Sequence, residues 1–158
     1  MSFLEWLQFS PVGTMVAETL WAYPLFETIH TLGMALLMGA LGLINLRVLG
    51  YKPKLPLLGT RDLLPLAWIG FIFNAISGTL LFTSDAVLFW NSYTFRIKLV
   101  LIILAGINAF LLDRGLFREA RLVGHDVDPS AGAKWIAGSS LVFWVGAIIA
   151  GRLIAYTP

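Results

Sequence analysis

Four runs of about 20 residues each, almost free of charge, constrain this chain more than any other feature. A helix rises about 1.5 Å per residue and the hydrocarbon core of a bilayer is roughly 30 Å thick, so runs of this length fit membrane crossings. They are Tyr23 to Gly50, Leu63 to about Phe82, Tyr93 to Leu112 and Trp135 to about Ala155. The second carries no ionisable residue at all. Inside a bilayer every backbone amide must be satisfied within its own segment, which leaves helices as the solution for such runs. The reading is an all-α integral membrane four-helix bundle. Composition agrees: 58% of the 158 residues are hydrophobic and 13% are charged, which excludes a disordered chain. With no cysteine, disulfides and thiolate chemistry are ruled out.

Residues 1–23 are apolar but interrupted, and form a segment distinct from the four-helix domain expected over 24–158. Ser2 followed by Glu5 fits a capping box, and Ser10 before Pro11 fits an N-cap with proline in the first turn, so two short helices are expected. Trp6, Trp21 and Tyr23 suit the headgroup level, which makes this an interfacial amphipathic segment lying on the membrane. The stretch lacks the basic region and cleavage site of a signal peptide, so the first span is expected to be retained. Of eleven basic residues, Arg47, Lys52, Lys54 and Arg61 flank the first loop, and Arg114, Arg118, Arg121 and Lys134 flank the third. By the positive-inside rule both loops face the cytoplasm, and both termini are outside. The third loop is the longest, and is expected to reach well into water. These bases follow topology and form no aromatic-interleaved patch, so nucleic-acid binding has no support.

The intramembrane polar residues then sort by depth. Glu27 and His30 fall in the outer turns of the first helix, Asp85 at the outer end of the second, Lys98 and Arg96 in those of the third, and Arg152 in that of the fourth. Helical phase separates them further, because each residue advances 100°. Arg96 shares its face with Leu99, Val100, Ile103, Ile107 and Phe110, and is read as snorkelling at the lipid boundary. Lys98 shares its face with Ala105 and Ala109 and points inward. Glu27, His30, Met34, Met38 and Asn45 fall on one inward stripe, and Asn74 lines up with Ala67, Gly70 and Gly78. Ionisable residues in a bilayer are costly unless partnered. Glu27 and Asp85 are therefore candidates for charge balance or proton transfer, or for ion pairs that fix helix register. Asn45, Asn74 and Asn108 read as interhelical hydrogen-bonding residues, and Gly33, Gly39, Gly42, Gly78, Gly146 and Gly151 as close packing. His30 either bonds a neighbouring helix or ligates a metal or haem. Met34 and Met38 are either apolar filler or, with His30, a soft ligand set suited to copper(I).

Two stretches, FETIHTLGMALLMGALGLINLRVL with its early histidine and FRIKLVLIILAGINAFLLDR with its early lysine, resemble the HemJ-type membrane protoporphyrinogen oxidases and the related CopD copper-resistance membrane family. The general build is similar to that of a four-helix bacterial membrane family. The oxidase resemblance implies a b-type haem site in which His30 and Lys98 take part. His30 would be the axial ligand, Lys98 with Arg152 would meet the propionates, and Met34 or Lys98 would be a candidate sixth ligand, since no second histidine lies within a span. The implied role is electron or hydrogen transfer near the periplasmic face, by a membrane oxidoreductase or a subunit of one. The copper resemblance implies instead copper handling by His30, Met34 and Met38. A third possibility is a non-catalytic anchor subunit of a larger complex. Expected partners are the lipid bilayer, further copies of the chain or a membrane complex, and a periplasmic redox protein.

Overall fold

The computed structural model describes residues 1–157. Helices α1 (Phe3–Gln8) and α2 (Pro11–Glu18) precede the first span, α3 (Ala22–Val48). A short α4 (Leu57–Arg61) leads into α5 (Leu64–Ser84), and α6 (Ala86–Asn91) links it to α7 (Tyr93–Leu112). A π-helical turn (Asp113–Phe117) and α8 (Arg118–Val123) follow, and α9 (Ala131–Leu153) is last. Four of these segments are long and apolar enough to cross a membrane, so the chain is an all-α, multi-pass four-helix membrane bundle.

The N-terminal caps are those expected from the sequence. Glu5 N donates to Ser2 Oγ at 3.3 Å while Ser2 N donates to a Glu5 carboxylate oxygen at 2.6 Å, and Gly13 N donates to Ser10 Oγ at 3.1 Å. These bonds satisfy amides that a helix start leaves orphaned. Both short helices lie across the end of the bundle that carries the termini, α2 on α5 and α1 on α6.

The spans pack as two tight pairs, α3 with α5 and α7 with α9, joined through α3 and α9. Glycine permits the first pairing. A methyl group at Gly70 would lie 2.7 Å from the Leu37 backbone nitrogen, and one at Gly33 would lie 2.9 Å from the Gly70 carbonyl oxygen. Backbone therefore meets backbone, as small residues allow between membrane helices. Polar side chains fasten the other contacts. Asn108 Nδ2 donates across α7 and α9 to Ser139 Oγ at 2.8 Å, and Asn45 Nδ2 donates across α3 and α9 to Ser140 Oγ at 3.2 Å. The stripe that shares a face with Arg96 is outward as expected, with Val100, Ile103, Ile107 and Phe110 exposed on α7, and Ile72 and Ile76 are exposed on α5.

Two expectations are corrected. Gly39 and Gly42 have no neighbour within 4 Å of a would-be methyl group, so they are not packing glycines. The third loop is shorter than expected, because the helix runs on from Tyr93 to Val123 through the π-turn and ends at Gly124, whose φ of 77° closes it in the left-handed conformation. Its apolar residues Leu116, Phe117 and Ala120, unremarked in a charged stretch, turn back and are buried. The remaining loop is tied down by Asp126, whose carboxylate accepts from Leu57 N at 2.7 Å and Leu58 N at 3.0 Å.

Candidate functional site

At the termini end the four spans separate around an open cavity of about 340 Å³. Its wall takes Glu27, His30 and Met34 from α3, Gly78 and Phe82 from α5, Phe89 from α6, Phe95 and Lys98 from α7, and Gly151 and Arg152 from α9. The volume falls within the range of small-molecule and cofactor sites, roughly 300–1,000 Å³.

His30 is held by a reciprocal clamp. Its Nδ1 lies 3.0 Å from the Asn74 carbonyl oxygen, and Asn74 Nδ2 donates to the His30 carbonyl at 2.8 Å. A carbonyl only accepts, so Nδ1 carries the proton and Nε2 keeps the lone pair of the neutral ring. Ser77 Oγ, 3.2 Å from Nδ1, completes the support. An imidazole whose far nitrogen donates to a backbone carbonyl is the usual arrangement of a ligating histidine, fixed in tautomer and orientation. Gly78 makes room for the ring, since a methyl group there would lie 2.9 Å from Cε1. Asn74 therefore does more than join two helices, which its place in the sequence did not disclose.

Lys98 reaches inward as its helical phase required. It lies over Gly151, where a methyl group would come 3.3 Å from Nζ. Among the described residues no carboxylate forms a salt bridge with it. The three salt bridges among these residues all sit at the opposite end: Arg47 with Asp126 at 3.9 Å, and Asp113 with Arg61 at 3.0 Å and with Arg121 at 3.3 Å. Arg152 and Glu27 are exposed and line the cavity. Arg96 faces outward over the Tyr93 ring at 4.6 Å, consistent with a lipid-boundary residue.

Two expected members are placed elsewhere. Asp85 is the N-cap of α6, accepting from Leu88 N at 3.4 Å, and does not line the cavity. Met38 packs on the apolar core one turn beyond Met34, so His30, Met34 and Met38 share a stripe without sharing the cavity. Among the described residues no cluster of three or more His, Asp or Glu side chains converges on a metal-sized point. The sequence also left unread a group of three phenyl rings: Phe82 stacks on Phe95 at 5.3 Å, and Phe89 lies 5.9 Å from Phe95 and 6.4 Å from Phe82. Only the aromatic richness of the connector near Phe89 hinted at it.

The cavity thus gathers an oriented imidazole, an inward ammonium that forms no salt bridge among the described residues, an arginine, the Glu27 carboxylate and an aromatic wall. Comparison of the chain with protein-family models, curated proteins and solved structures gives no match to any of them.

Proposed function

We propose that this is a haem b-binding protein of the bacterial inner membrane, serving electron or hydrogen transfer at the cavity end. The observation that carries the reading is the His30 clamp, which presents Nε2 in the same cavity as Lys98. The residues fit the group: His30 would be its axial ligand, the Lys98 ammonium and the Arg152 guanidinium would meet the propionates, and Met34, one turn deeper, is within the same wall. The cavity lies at the small end of cofactor sites, but it is open rather than enclosed, which suits a flat macrocycle that is only partly covered. When bound, the haem supplies a one-electron carrier whose potential follows its axial ligands and burial. The protein's own part is to fix the imidazole tautomer, neutralise the propionates and keep Glu27 at the surface, where a proton can be exchanged.

Concentration of basic residues at the opposite end supports a periplasmic position for the cavity and both termini. Its redox partner is then a periplasmic protein, a quinone or a porphyrin-like substrate, and a second copy or a larger membrane complex accounts for the exposed apolar flanks. The copper reading is weaker because Met38 lies outside the cavity wall. The similarity to the HemJ-type oxidases points the same way as the clamp.

The test is an oxidised-minus-reduced visible spectrum of detergent-purified protein expressed with ample haem, with iron and copper quantified on the same sample. A Soret band that His30→Ala abolishes is expected. No Soret band would overturn the reading; copper would then favour metal handling, and neither metal would favour an anchor subunit.

A further inference from the structure

The seam between α5 and α7 differs from the other contacts between neighbouring spans. α3 with α5, α7 with α9 and α3 with α9 pack directly, whereas α5 and α7 do not pack along their lengths. Towards the basic loops Leu112 and Phe117 are buried, and the space left among Leu64, Leu112 and Phe117 shrinks to about 10 Å³. Towards the termini it is bridged by side chains alone: Phe82 of α5 against Phe95 of α7, with planes 16° apart, and Phe89 of α6 against both. The cavity with His30 and Lys98 lies directly behind these rings, which form part of its wall. The six-residue α6 crosses above them and is fixed at both ends, by the Asp85 cap and by Ser92 N donating to the Leu88 carbonyl at 3.1 Å.

From this geometry we propose that the ligand of the cavity enters sideways, from the hydrocarbon of the surrounding leaflet, through the α5–α7 seam with Phe82, Phe89 and Phe95 as its gate. The ligand class is a membrane-dissolved flat ring with an anionic edge; its identity as a tetrapyrrole rests on the haem reading, while the route does not. Rotation of phenyl side chains opens this wall without moving a helix axis, whereas α3 and α5 meet backbone to backbone and α7 and α9 pack directly. The alternative way in, past Glu27 and Arg152, takes an apolar ring through charged groups.

The chain has no cysteine, so Met34→Cys places a single thiol in the cavity wall. In proteoliposomes its labelling by N-phenylmaleimide, which dissolves in the bilayer, is compared with labelling by a charged, membrane-impermeant methanethiosulfonate. Adding Phe95→Ala removes two ring contacts and is expected to raise the maleimide rate roughly ten-fold, with little change in the charged reagent's rate. Phe95→Trp is expected to slow it. If Phe95→Ala does not elute as a folded species, Phe82→Leu with Phe95→Leu loosens the same wall. Equal changes for both reagents, or none for either, would overturn the lateral route. Uptake of hemin from loaded vesicles, followed by the Soret band, is expected to speed up in the same variants. A maleimide effect without any Soret band would leave the route standing and remove haem as its ligand.

Discussion

The two ends of the bundle are built on opposite principles. At the basic-loop end the space between helices is filled: Phe117 is 1% exposed, Leu41, Ile44, Val48 and Leu57 surround it in one core, and the salt bridges of Arg47, Arg61 and Arg121 cover the rim. At the termini end the same four helices splay around a cavity, a clamped histidine and a lysine without a described counter-charge. Stability and chemistry are therefore separated along the helix axes. Close-packed interiors resist change of volume, while an open cavity tolerates it, so variants at the two ends should sort cleanly.

The largest contrast is between two phenylalanines. Phe117→Ala opens a void in the filled end and should cost about 3–5 kcal/mol, the usual range for a buried Phe. Phe95→Ala should cost less, because the ring is only partly buried, with its two ring pairs adding about 0.5–1.5 kcal/mol each to what burial contributes. Thermal unfolding in detergent, followed by circular dichroism, measures both. Equal losses would mean that the cavity end is as essential to folding as the filled end.

Glycines give the next test, of about 1–3 kcal/mol. Gly70→Ala forces α3 from α5 where backbones touch, an overpacking cost of that order. It also pulls Asn74 from His30, since a methyl at Gly33, on the facing helix, would itself lie 2.9 Å from Asn74 N. Gly39→Ala and Gly42→Ala meet nothing and should shift stability by no more than about 0.5 kcal/mol. A Gly70→Ala variant as stable as Gly39→Ala would refute the close crossing.

That glycine contrast shows where the sequence was readable. Length and the absence of charge marked the four spans, Ser2, Glu5 and Ser10 marked the caps, and helical phase put Lys98 inward and Arg96 outward, because each rests on local periodicity. Phase cannot say what lies opposite. Gly39 and Gly70 look alike in sequence, yet only Gly70 meets a neighbouring backbone. Asp85 looked like a buried charge but caps a helix too short to stand out. Met38 shared the stripe of His30, but the cavity stops above it. The Phe82–Phe89–Phe95 group and the Asp126 tie join segments far apart along the chain, and no single-helix pattern records such meetings.

Two asparagines separate packing from positioning at about 1 kcal/mol each, typical of interhelical hydrogen bonds in membranes. Asn45→Ala and Asn74→Ala should lower stability to a similar small extent. Only Asn74→Ala should alter the Soret position and haem retention, because its side chain holds the α3 backbone at His30. If both variants leave the spectrum unchanged, the Asn74 side chain does not position His30, and the Nδ1 bond to the Asn74 backbone carbonyl suffices.

The smallest effect should come from the filled end's rim, and it depends on pH. Partial burial raises the Asp126 carboxyl, but the amides of Leu57 and Leu58, then Arg47 and His125, outweigh it and hold the group below the ordinary carboxylate value. Since the unfolded chain binds its proton at a higher pH, the folded state gains stability that is complete above the ordinary value and lost as pH falls through the folded one. Arg47 reinforces the tie, its Nε donating to the Leu55 carbonyl while its Nη2 lies 3.9 Å from Asp126. Asp126→Asn keeps the shape and loses the charge, so its unfolding temperature should fall less than that of the wild type between neutral pH and about pH 3. Other carboxylates titrate in the same window, and subtracting the two curves isolates Asp126. Parallel curves would mean that the third loop is held by the burial of Leu116, Phe117 and Ala120 alone, and the filled end would owe its integrity to packing without help from charge.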